Sequence, residues 1–405
     1  MAQAPPKSVA HPFPLVGLLT LSALVFTSVT SEFLPTGLLP DIGSELGVTE
    51  SQVGILVTVF AGTVVLTAAP LAVLTRQYSR KSIVIVVMLV FVLGNVLAAL
   101  APNYTVLLIA RVIGGLAHGL FWAVVAAYAA HLVPKHQLGR AVAIVSGGGT
   151  AAFVMGVPLG TALGHAVGWR LAFGVIAAVI LVLTLLTITL LPAVKHGENL
   201  ATGEIPLPLR KDRSIPGVVV TCVVVVVVLL GHNLLYTYIA PFLIGPAALD
   251  PSAVAGVLLL YGGAGAIGLV MAGILSDKAP RAGLFGGIML VGASVTVIGL
   301  STQVQWLLLA AIGVWGMAFG ALPAMLQTRM LHVASVRIRD VASAYLTTAF
   351  NIGIGGGALV GGILLDRYGV GSLPWFDLGV TALALVVVVA TDIWLRRREL
   401  AFRHK

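Results

Sequence analysis

Charge is scarce in this chain: only 9% of its 405 residues are Asp, Glu, Lys or Arg, against 59% hydrophobic. So little polar surface cannot clothe a soluble core of that size, and a mean hydropathy of +1.08 makes lipid the solvent. Cysteine is nearly missing. Cys222 stands alone in a valine-rich run, which excludes an intrachain disulfide and a cysteine-based metal site and leaves it as a lipid- or core-facing filler. There is no HExxH pair and no glycine-rich loop ending in Gly-Lys-Ser/Thr, so neither a metal centre nor ATP-driven pumping is indicated. An intramembrane enzyme would need a nucleophile with its base, and that pattern is absent too. The net charge of +9 invites a nucleic-acid reading, but the basic residues are scattered between apolar runs rather than clustered with aromatics. No nucleic-acid partner is expected.

What the chain does have is apolar runs. Stretches long enough to cross a hydrocarbon layer of about 30 Å occur at 14–39, 50–74, 81–101, 104–131, 138–164 and 169–192. The first is long and carries a Glu, unlike the short apolar region of a cleaved signal peptide. Shifted by 201 residues, the chain lands on itself: Pro40 on Pro241, Gly62 on Gly263, Arg80 on Arg281, Gly115 on Gly316, Gly119 on Gly320, Gly156 on Gly357, Gly160 on Gly361 and Gly168 on Gly369. The shift predicts a second set of spans near 215–244, 251–275, 282–301, 305–330, 338–365 and 373–395. The expected fold is an all-α membrane protein, twelve transmembrane helices in two pseudo-symmetric six-helix bundles.

Of the 23 Lys and Arg, all but Arg111, Arg170 and Arg367 then fall on the side of the two termini, which places both termini in the cytoplasm. The expected organisation is a cytoplasmic N-terminus at 1–13, bundles at 14–192 and 214–395, a polar cytoplasmic linker at 193–213 and a basic tail at 396–405.

Ionisable residues inside spans are costly and mark pathways or relays. Glu32 lies eight residues before Pro40 at the outer end of span 1, and Arg111 about seven residues into span 4 from the same face. At about 1.5 Å per residue both sit roughly 10–12 Å deep, so they can meet. Burial favours a neutral carboxyl and a nearby arginine a charged one, so alternating access would load and release a proton; a static ion pair joining two helices is the plainer reading. His118 follows Arg111 by seven residues on one helical face, with Trp122 one turn beyond. His232 and Asn233 are the counterparts of Ser31 and Glu32, facing the same cavity from the other half. Either histidine can titrate or simply pack. Tyr236, Tyr238, Tyr261, Gln327, Tyr345 and Asn351 add rings, hydroxyls and amides, a combination suited to sugars or amphipathic drugs, though each alone is equally a packing residue. Gly147, Gly156, Gly160 and Gly164 give span 5 a small face for close helix approach, and span 11 repeats the theme from Gly353 to Gly362.

These features together resemble the major facilitator superfamily, within it the twelve-span drug:proton antiporter branch, over nearly the whole chain. Gly147, Gly156, Gly160-Thr161 and Gly164-His165 are similar to that branch's span 5 antiporter motif, without its proline but with Pro158 nearby. Ala72, Arg76, Ser79, Arg80 and Lys81 keep only the basic end of the superfamily's Gly-x-x-x-Asp-Arg-x-Gly-Arg-Arg signature. The copy after span 8 keeps Gly273, Asp277 and Arg281, which implies an asymmetric cytoplasmic charge latch. Arg111, Gly115 and Gly119 match the span 4 motif whose arginine serves proton coupling, and Glu32-Phe33-Leu34-Pro35 through Pro40 resembles the span 1 motif.

Closer strings are His118-Gly119-Leu120-Phe121-Trp122, Tyr236 to Phe242 and Phe350 to Gly355, which look like bacterial sugar efflux transporters that export arabinose and related galactosides. Chloramphenicol exporters share the type of motif seen from Thr30 to Phe33. The resemblance implies a multi-pass protein of the bacterial cytoplasmic membrane, not an enzyme, that exports small neutral solutes in exchange for protons by alternating access. Drug export and proton-coupled uptake are the alternatives. Glu32, Arg111 and His232 would carry the coupling. Substrate, protons and lipid are the expected partners, no cofactor beyond the proton gradient is required, and the chain is expected to function as a monomer.

Overall fold

The computed structural model describes residues 13–75, 77–134, 137–192, 212 and 214–403, except the side chains of 126, 127, 277, 336, 340 and 395–403. The expected N-terminal segment, linker and basic tail fall largely outside the described residues. Among the described residues, twelve helices are long and apolar enough to cross a membrane. No strand occurs among the described residues. A backbone in hydrocarbon must satisfy its own hydrogen bonds, and helices do so within one segment.

The first bundle contains α1 (Leu15–Gly37), α2 (Leu39–Leu46), α3 (Glu50–Thr75), α4 (Arg80–Ala99), α5 (Tyr104–His131), α6 (Leu138–Ala151), α7 (Val157–Val167) and α8 (Trp169–Leu190). The second contains α9 (Ile215–Tyr236), α10 (Ile239–Ile244), α11 (Val254–Lys278), α12 (Pro280–Leu300), α13 (Gln305–Val333), α14 (Arg339–Tyr368) and α15 (Leu373–Arg403). Twelve crossings put the start of α1 and the end of α15 on one side, here the terminal side, opposite the distal side.

Expected spans 1 and 7 are each broken near the distal side. Pro40 sits in the first turn of α2, and Pro241 within α10 falls at the matching place, so the chain turns at Leu38 and at Thr237–Tyr238 instead of continuing. A proline nitrogen has no hydrogen to give the preceding turn. Span 5 is one long helix with a π-helical turn at Ala152–Gly156 between α6 and α7, where Pro158 opens α7. The wide turn accommodates the missing donor. The 201-residue repeat is visible in atoms: a side chain at Gly115 would collide with the Phe60 carbonyl, and one at Gly316 with the carbonyl of its counterpart, Tyr261. The same close approach of two helices is thus built twice.

The bundles meet over the distal half of the molecule. Ser51 Oγ donates to Asp366 Oδ2 at 2.7 Å, Thr58 Oγ1 donates to the Gly355 carbonyl at 3.0 Å, and Gly262 of α11 abuts the backbone of Phe153 in the π turn. Tyr238 fills the space between Gly54 and Gly362 and donates to the Ala358 carbonyl at 2.7 Å.

Candidate functional site

Pro35 lies inside α1, so the Ser31 carbonyl four residues earlier has no helical donor. Arg111 of α5 supplies it. Its Nη1 donates to the Ser31 carbonyl at 2.9 Å, Nη2 to the Glu32 carbonyl at 2.7 Å and Nε to Leu56 of α3 at 3.4 Å, while the guanidinium lies 4.2 Å from the Phe60 ring centre. The structure therefore brings Glu32 and Arg111 together through backbone. The Glu32 carboxyl, 4% exposed as a residue, lies beside His118, Oε2 to Nε2 at 3.4 Å. The other ring nitrogen of His118 lies 2.7 Å from Ser28 Oγ, and Trp122 is 6.1 Å away, ring to ring. Ser31 Oγ donates to Asn95 Oδ1 of α4 at 2.7 Å, completing a buried polar cluster.

Across from it, the second bundle presents rings. Phe319 stacks on His232 with centres 3.3 Å apart, and Tyr236, Trp315 and Tyr261 surround the same imidazole at 5.1, 5.0 and 6.0 Å. The Tyr261 hydroxyl is 3.3 Å from His232 Nε2, whereas His232 Nδ1 is buried with no hydrogen-bond partner. Asn233 turns its amide back to the Leu229 carbonyl at 2.9 Å, and Asn351 does the same to Thr347 at 3.0 Å, leaving Asn351 Oδ1 without a partner.

Between the two faces is a cavity of about 390 Å³ lined by Glu32, His118, Trp122, His232, Asn233, Tyr236, Tyr261 and Asn351. Its distal floor is aromatic: Phe33 of α1 and Phe153 of the π turn lie 4.8 Å apart, with Tyr236 6.3 and 6.4 Å from them. Tyr236 was expected from the sequence and Phe33 appeared there only within the span 1 motif; Phe153, Trp315 and Phe319 were not singled out. Phe319 had a signal available: it is the 201-residue counterpart of His118. Gln327 and Tyr345, both exposed, and Tyr238 between the bundles lie outside the cavity lining.

Along span 5, Gly148, Gly156, Gly160 and Gly164 meet Ser22, Thr30 and Leu34 of α1 and Leu38 just past its end in constant register, while Gly147 faces open space. Gly273 is exposed in α11, and the Asp277 side chain lies outside the described residues. Arg281 lines a second cavity on the terminal side, about 930 Å³, with Asp212, Arg329 and Asp392; Arg329 Nη1 pairs with Asp392 Oδ1 at 2.8 Å. Arg80 follows Ser79, which caps α4 by accepting from the Ser82 amide. No cluster of metal-ligating side chains occurs among the described residues.

Twelve membrane helices in two bundles, with a mixed polar and aromatic cavity at their shared face, define a membrane transporter. Residues 21–281 and 221–402 match the family described as Major Facilitator Superfamily, and the chain belongs to it. The chain is 30% identical over 388 residues to a probable sugar efflux transporter of Helicobacter pylori strain G27, covering 96% of each chain. It is 30% identical over 372 residues to one of Mannheimia succiniciproducens, covering 91% of each. Among solved structures it is similar in fold, with a TM-score of 0.69 and 18% identity over 95% of both chains, to an inward-facing, unoccupied bacterial homolog of the human lysosomal transporter Spinster.

Proposed function

We propose that this transporter exports small neutral solutes, best fitted to sugars, in exchange for protons across the bacterial cytoplasmic membrane, as a monomer with both termini in the cytoplasm. The observation that carries the reading is the cavity's mixture of imidazoles and amides, His118, His232, Asn233 and Asn351, set among rings. Hydroxyls of a solute find hydrogen-bond partners among such groups while its apolar face stacks on the tyrosines and Phe319. Relatives named as probable sugar efflux transporters support the direction and the substrate class.

Coupling is assigned to the opposite wall. Protonation of Glu32 from the outside weakens its pairing with His118 and shifts the bundles toward opening on the cytoplasmic side; release of that proton inward resets the pair as substrate is carried out. Arg111 keeps the local field positive, and His232 senses occupancy from the facing bundle.

Uptake of labelled L-arabinose into everted vesicles under a pH gradient tests both parts. Wild type accumulates the sugar, and Glu32→Gln falls to the level seen without the gradient; Glu32→Gln at the wild-type rate removes the coupling assignment. Absence of arabinose uptake by wild type removes this sugar reading in favour of amphipathic drugs, which the rings Phe33, Phe153, Phe319 and Phe350 around the cavity also suit. A resistance profile of an overexpressing strain checks that alternative.

A further inference from the structure

One acid takes no part in this scheme. Asp377 lies four residues into α15, is 0% exposed, and accepts one hydrogen bond, from Thr381 Oγ1 to Oδ1 at 3.1 Å. Its Oδ2 is buried without a partner. Its counterpart 201 residues earlier is Ile176, so the repeat does not require an acid here.

Space has been left for the carboxyl. A Cβ on Gly231 of α9 would stand 3.0 Å from Asp377 Oδ1, so the absent side chain is what admits it. The next residue in the chain is His232. Asp377 is also within electrostatic range of Tyr261 of α11, whose hydroxyl faces His232 Nε2 at 3.3 Å. Of the elements packed on α15, α9 presents Gly231 to Asp377 and α12 presents Gly292 to Thr381. No described lysine or arginine forms an ion pair with Asp377. A carboxylate so placed has nothing to compensate its charge in hydrocarbon except a proton or water.

We propose that Asp377 is a second proton-binding carboxyl, lodged in the second bundle against Gly231 of α9, the residue before the cavity-lining His232. The proton binds at the unpartnered Oδ2 and leaves by the same oxygen to water. A change in the carboxyl's charge acts on the Tyr261 hydroxyl through space, and that hydroxyl faces His232 Nε2. Each bundle then holds one buried acid, Glu32 near His118 and Asp377 against Gly231, the residue before His232. The inference builds on the proton-coupled reading but has its own measurement.

Infrared difference spectra of the full-length protein in lipid, recorded as the bath goes from acid to alkaline, detect protonated carboxyls directly and need no substrate. With aspartate isotope-labelled at its side-chain carboxyl carbon, wild type should show a label-sensitive carboxyl band that disappears on alkalinisation. The band should persist in Glu32→Gln, vanish in Asp377→Asn, and lose its label sensitivity in Asp377→Glu, which keeps an acid in place should the amide fail to fold. Gly231→Ala, pressing on Oδ1, should displace it. A labelled band unchanged in Asp377→Asn, or no such band in wild type, overturns the proposal. Failure of Glu32→Gln to alter vesicle uptake overturns the coupling assignment to Glu32 and leaves this measurement standing.

Discussion

Position by position, the two bundles share a frame and differ in what they hang on it. Gly115 packs on Phe60 as Gly316 packs on Tyr261, yet Arg111 stands where the second bundle has Ile312, His118 where it has Phe319, and Pro35 where it has Tyr236. The first and third differences belong together. Pro35 strips the Ser31 carbonyl of its donor and Arg111 replaces it, so where the proline is gone the arginine is unnecessary. The histidine has changed helices: His118 reaches from α5 to Glu32 of α1, whereas His232 sits on α9 and is covered by Phe319 of α13. A duplicated scaffold has thus put an acid beside a histidine on one side of the cavity and an aromatic cage on the other.

The sharpest way to break this contrast is to make the first bundle resemble the second. Arg111→Ile leaves the Ser31 carbonyl without a donor, removes the second bonds to Glu32 and Leu56, and is expected to cost about 3–5 kcal/mol, by analogy with stripping one partner from a buried charged contact. Unfolding in detergent measures it. Adding Pro35→Ala should recover about 1 kcal/mol, because the new amide serves Ser31; strict additivity of the two changes would sink the proposed link between proline and arginine.

A smaller effect separates the paired glycines of spans 5 and 11. Gly156→Ala presses on the Thr30 side chain, which can rotate, while Gly357→Ala presses on the backbone of Leu230 and Leu234, which cannot. The second is expected to cost about 2 kcal/mol and the first about 1 kcal/mol, read as melting shifts; the reverse order would contradict the packing. Smallest is the left-handed pair. Gly47 (φ 63°) ends α2, and its counterpart Ala248 holds φ 51°. Ala248→Gly should stabilise by about 1 kcal/mol and Gly47→Ala destabilise by about as much, again by melting.

Much of the frame was legible in the sequence because lipid imposes a length on every span and duplication leaves its mark in glycines that no side chain can replace. Glu32 and Arg111 were found at matching depth for the same reason. Their contact through backbone was not, since it depends on a carbonyl freed by Pro35, and helical spacing reports side-chain faces rather than vacant acceptors. The breaks at Leu38 and Thr237 follow prolines that a hydropathy window averages away. Asp377 was overlooked although it is an acid within an apolar run, the same signal that exposed Glu32. Tyr345 was included for its chemistry, but its helical face turns away from the cavity; Gln327 shares the face of Gly316, Gly320 and Pro323 yet lies one turn beyond them, toward the terminal side.

The three carbonyls held by Arg111 belong to α1 and α3, and the arginine to α5. A helix whose ladder is finished by a neighbour cannot slide or swivel independently of it. α1 and α5 are therefore tied into one lever, with Glu32 and His118 both carried on it, and opening of the cavity is expected from hinging around that lever, at the π turn of span 5 or at the seam with the second bundle, rather than from parting its two members.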